Sequence, residues 1–64
     1  MEIDSITLKM ILSKLSRPVH ISYIARYIVR NEMDVTEKIL QHLIKESLIE
    51  ESKLGNQYYV IKNS

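Results

Sequence analysis

The chain has no cysteine, no tryptophan and no phenylalanine, and only one glycine and one proline. Without cysteine there is no disulfide, no thiolate metal site and no cysteine nucleophile. The two histidines, His20 and His42, are too few for a typical zinc site without carboxylate help. No apolar run approaches the length that spans a bilayer. Met1-Glu2-Ile3-Asp4 lacks the basic start and apolar centre of a secretory signal. These absences predict a cytoplasmic, intracellular protein with no metal, no cofactor and no membrane partner. No phosphate-cradling loop, nucleophile–base pair or metal cluster is visible, so an enzyme is not expected.

What is present fits a single small domain over residues 1–64. A chain of this size buries only about 60% of its unfolded surface, so a surplus apolar face suggests a partner. Ten isoleucines predict a stiff, β-branched core. The net charge of +1 names no partner, but its distribution is uneven. Residues 1–30 carry five cations against two anions, and residues 31–64 carry four against six.

Apolar spacing predicts three helices near 5–15, 22–31 and 35–46, then a hairpin near 48–62. Asp4 or Ser5 can cap the first helix, which stops before Pro18 because the residue preceding proline disfavours helix. At about 100° per residue, Leu8, Ile11, Leu12 and Leu15 share one face, while Ile3, Ile6 and Met10 share the opposite one. Val19-His20-Ile21 reads as an edge strand at most. Ser22 is expected to cap the second helix, whose core stripe is Ile21, Ile24, Ala25 and Ile28. Tyr23, Arg26, Tyr27 and Arg30 form a separate stripe.

Met33 is expected to plug the following turn from the core side. Asp34 and Glu37 have the spacing of a capping box. Thr36, Leu40, Leu43 and Ser47 should face the core, and Lys38, Gln41, His42 and Lys45 should point away. Gly55 is expected to supply the positive φ of a tight hairpin loop, with Tyr59 and Ile61 turned inward. Asn63-Ser64 reads as a frayed end.

The order of these pieces resembles the winged-helix class of helix-turn-helix domains. Ile24-Ala25 sits where such domains commonly have a Leu-Ala or Ile-Ala pair in the positioning helix. Leu40-x-x-Leu43 followed by Ser47-Leu48-Ile49-Glu50 is similar to a recognition helix running into the wing. Gly55-Asn56-Gln57-Tyr58-Tyr59-Val60-Ile61 is similar to the returning wing strand of ArsR-like and small archaeal or viral regulators. The family usually has glycine where this chain has Ser47, and the metal-sensing thiolates of ArsR-like repressors are absent. The tryptophan that Z-form readers use in the wing is also missing.

The resemblance implies an α+β winged helix, three helices plus a β-hairpin wing, that binds double-stranded DNA sequence-specifically. It would act as a small transcriptional regulator, by occupying its site. Lys38, Gln41 and Lys45 would read bases or phosphates, since lysine suits guanine acceptors and glutamine suits adenine; the same trio also suits a plain solvated face. His42 could touch phosphate. Arg26, Arg30 and Tyr23 would position the backbone, and Lys53, Asn56 and Gln57 would approach it from the wing.

Ile3, Ile6 and Met10 would form a homodimer interface on the first helix. The alternative is a winged helix used as a protein–protein interaction module in a transcription or replication assembly, which the acidic second half favours. A basic surface across the third helix and wing would favour DNA, and an apolar patch there would favour protein.

Overall fold

The computed structural model describes residues 3–62. Met1, Glu2, Asn63 and Ser64, including the two residues read as a frayed end, lie outside the described residues. Helix α1 (Ser5–Lys14) starts at Asp4, whose Oδ1 accepts from the Thr7 N–H at 2.7 Å and whose Oδ2 accepts from the Thr7 hydroxyl at 3.0 Å. These bonds, the backbone one foremost, hold the Asp4 carboxyl below the usual aspartate range. Ile11 and Leu15 are fully buried, with Leu8 and Leu12 packed beside them.

Ile3 departs from the expected outer stripe: it packs on the core and shares a groove with Leu8. The reason is the cap. With Asp4 as the capping residue, Ile3 and Leu8 stand at the positions of a hydrophobic staple, which turns Ile3 inward.

Strand β1 (Val19–His20) leads directly into helix α2, an α-helical turn (Ile21–Tyr23) continued by a π-helical stretch (Ile24–Val29). Its cap is His20 rather than Ser22. The His20 backbone is extended, and its Nδ1 accepts from the Ser22 N–H at 3.1 Å, with the Ser22 hydroxyl 2.9 Å away. Helix α2 ends where Arg30 turns left-handed at φ 57, ψ 51. The Arg30 N–H reaches back five residues to the Ala25 carbonyl, which also accepts from the Asn31 N–H at 3.1 Å.

Helix α3 (Met33–Lys45) begins earlier than expected, with Glu32 as its cap residue and no side-chain capping bond. Asp34 therefore lies inside the first turn, where its charge meets the positive helix end but its side chain cannot close a capping box. Met33, the first helical residue, is exposed rather than plugged into the core. Thr36, Leu40 and Leu43 are buried as expected, but among the described residues the Thr36 hydroxyl has no hydrogen-bond partner.

The far end of α3 closes with Ser47 N–H to Ile44 O at 2.9 Å and Leu48 N–H to Leu43 O at 3.0 Å. This is a Schellman end with Ser47 at φ 62 in the position glycine prefers. Ser47 is thus exposed, not core-facing.

Strands β2 (Ile49–Glu51) and β3 (Tyr58–Ile61) complete a three-stranded antiparallel sheet in the order β1-β3-β2. Val19 pairs with Tyr59 on one side of β3, and Ile49 with Ile61 on the other. The Ile61 N–H also donates to Leu15 O at 2.9 Å, tying β3 to the end of α1. Tyr59 is buried and Ile61 packs against the core, as the alternation predicted.

Gly55 does not supply the positive φ of the β2–β3 loop; Gln57 does, at φ 63. A Cβ at 55 would lie 3.2 and 3.3 Å from the Tyr58 ring, a tight contact that the ring would relieve by moving a few tenths of an ångström. The core is Ile11, Leu15, Ile21, Ile24, Ile28, Leu40, Leu43, Ile49 and Tyr59, drawn from all three helices and two of the strands.

Candidate nucleic-acid interface

Helix α3 divides cleanly. Thr36, Leu40 and Leu43 hold it to the core, which leaves Lys38, Gln41 and Lys45 exposed on the outer side. Lys38 and Gln41 share a shallow depression with Met33, Asp34 and Glu37, so two carboxylates stand beside the two donors. His42 is half-buried and lines a groove of about 750 Å³ with Ile3, Asp4, Leu8, Leu43, Glu46 and Leu48. It faces the α1 side rather than the depression that holds Lys38 and Gln41.

On α2 the stripe Tyr23, Arg26, Tyr27 and Arg30 is exposed throughout. The two tyrosine rings lie 4.9 Å apart with a 44° tilt. Tyr23, Arg26 and Tyr27 border a cleft with Ser22, Ala25, Asn31 and Met33. Arg26 and Arg30 border the adjoining one with Ala25, Asn31 and Glu32. Met33 is common to the α2 cleft and the α3 depression, so these two surfaces join at the turn between the helices. Among the described residues, no side-chain hydrogen bond engages Arg26 or Arg30.

The β2–β3 loop presents Lys53 and Asn56 to solvent, with Leu54 at its tip 69% exposed. The elements before this loop carry the opposite charge, with Glu50 and Glu51 exposed on β2 and Glu46 at the end of α3. The Tyr59 phenol registers the same field: burial raises its pKa first, and the charges of Glu51 and Glu37 add to the rise. On α1, Ile6 is 71% and Met10 39% exposed.

Sequence reasoning missed Leu54 and Met33 as surface features. Leu54 follows Lys53 within a polar loop and carries no periodic signal, and Met33 lies on the surface because α3 begins at Met33 itself rather than after it. Among the described residues no group of three His, Asp or Glu side chains could hold a metal ion, and no helix is long and apolar enough to cross a membrane. Comparison with protein-family models, with curated proteins and with solved structures finds no match.

Proposed function

We propose that this α+β domain is a winged helix that binds double-stranded DNA sequence-specifically and acts as a small transcriptional regulator by occupying its site. The observation that carries the reading is the placement of α3: its outer face of Lys38, Gln41 and Lys45 is open, and the β2–β3 hairpin follows it directly in a sheet of order β1-β3-β2. A helix presented in this way can enter a major groove while the hairpin lies along the backbone. Lys38, Gln41 and Lys45 read the groove, Tyr23, Arg26 and Arg30 hold phosphates, and Lys53 and Asn56 approach from the hairpin.

Few phosphates are neutralised by one copy, so a homodimer through Ile6 and Met10 on α1 supplies two recognition helices. Ile3 takes no part, since it is committed to the core.

A second reading, a protein-interaction module, draws support from one specific observation. Glu37, Glu46, Glu50 and Glu51 are all exposed on α3, its end and β2, and the charges of Glu51 and Glu37 both reach the Tyr59 phenol.

Titration against random and genomic duplexes at low salt, with light scattering on the same samples, separates the readings. The DNA reading expects a dimer whose affinity falls steeply with salt, a slope reduced by about one for each phosphate contact removed, and relaxed base choice in Gln41→Ala at roughly 1–3 kcal/mol. A folded chain that shifts no duplex under these conditions favours the protein module.

A further inference from the structure

We infer that the cleft on the outer face of α2 is a binding site for unpaired nucleotides, in which a base stacks on the Tyr23–Tyr27 pair and neighbouring phosphates meet Arg26 and Arg30. The chain has four aromatic residues, all tyrosine. Two of them build the fold: Tyr59 is in the core, and Tyr58 lies over Gly55 with its ring edge-to-face on His20. The other two stand outside, Tyr23 46% and Tyr27 54% exposed, in contact with each other. A chain this short has little aromatic surface to leave in water, so a paired ring surface on one helix suggests a planar ligand.

The charge beside the rings selects among planar ligands. Arg26 lies between the two tyrosines in sequence and Arg30 follows in the adjoining cleft, and each brings a planar guanidinium. The acid bordering this surface is Glu32, next to Arg30. Rings beside two guanidiniums suit a ligand that is flat and anionic, which is the chemistry of a nucleotide rather than of a neutral apolar peptide. The backbone shapes the site to match. Small Ala25 lines both clefts, and its carbonyl takes the Arg30 and Asn31 amides together, which sets the left-handed turn from which Arg30 projects. Stacking on tyrosine needs no particular base, so the site tolerates any sequence.

This site shares Tyr23, Arg26 and Arg30 with the duplex reading, and Tyr27 belongs to it alone, so substitutions at Tyr27 test it separately. Fluorescence anisotropy with a fluorescein-labelled oligothymidylate at low salt tests it. Wild type is expected to bind, Tyr27→Leu to weaken binding about tenfold, and Tyr27→Phe to retain it, since the ring face is kept. Arg26→Ala should lower the salt slope by about 0.7, the value for one phosphate on a single strand. Tyr27→Leu that melts like wild type and binds oligothymidylate equally well overturns the proposal, as does a wild type that ignores oligothymidylate but binds an acidic peptide. A duplex titration of the same variants keeps the two ideas apart: loss of the single strand in Tyr27→Leu supports this site whether or not any duplex is bound.

Discussion

Helices α2 and α3 lie side by side against one core, and both expose a polar stripe, yet they are built differently. Helix α3 keeps regular α geometry and sorts its residues, with Thr36, Leu40 and Leu43 inside and Lys38, Gln41 and Lys45 outside. Helix α2 loosens to π geometry after one turn, leaves two tyrosines in solvent and ends on a left-handed arginine. Regular geometry suffices for a helix that presents short polar groups along a straight face. The wider helix gathers rings and guanidiniums around a small alanine. π-Helical segments recur where a helix has been adapted to bind something.

The largest test of this contrast removes the anchors. Leu40→Ala and Ile24→Ala each delete a fully buried side chain and should each destabilise by roughly 2–5 kcal/mol in urea unfolding. A much smaller loss for Ile24→Ala would mean that the π segment relaxes into the space. Thr36→Val should act in the opposite direction. It replaces a buried hydroxyl that has no partner with a methyl of similar shape, a gain on the order of 1–3 kcal/mol that is visible as a higher urea midpoint. The smallest effect is at the end of α3, where Ser47→Gly relieves a left-handed residue by about 1 kcal/mol, read from thermal melts.

The regular parts of the molecule were legible and the exceptional parts were not. The three helices, the stripe of Ile11, Leu12 and Leu15, a cap at Asp4 or Ser5 and the inward turn of Tyr59 follow from periodicity and from common capping chemistry, and the fold chooses Asp4. The His20 cap was hidden because a serine two residues later looks like the better candidate, and only the extended backbone at His20 decides between them. The Asp34–Glu37 spacing misled because it fixes a helix start only if no earlier residue begins the helix, and Met33 does. Gly55 looks like the positive-φ turn residue, yet Gln57 takes that conformation and Gly55 sits close under the Tyr58 ring.

The π geometry of α2 (Ile24–Val29) shows no periodicity or capping signal in its residues. For the candidate site, the residues of α3 and the tyrosine–arginine stripe were named from sequence. That the two surfaces join at Met33 required the fold.

The position of β3 has a consequence for how the chain matures. The strand made last of the three lies in the middle of the sheet, bonded to β1 on one side, to β2 on the other, and through Ile61 to the end of α1. During synthesis Val19 and Ile49 both lack their partners until Tyr58–Ile61 has emerged. The sheet cannot assemble stepwise along the growing polypeptide. It closes when β3 slots between β1 and β2, so completion of the sheet waits for residues 58–61.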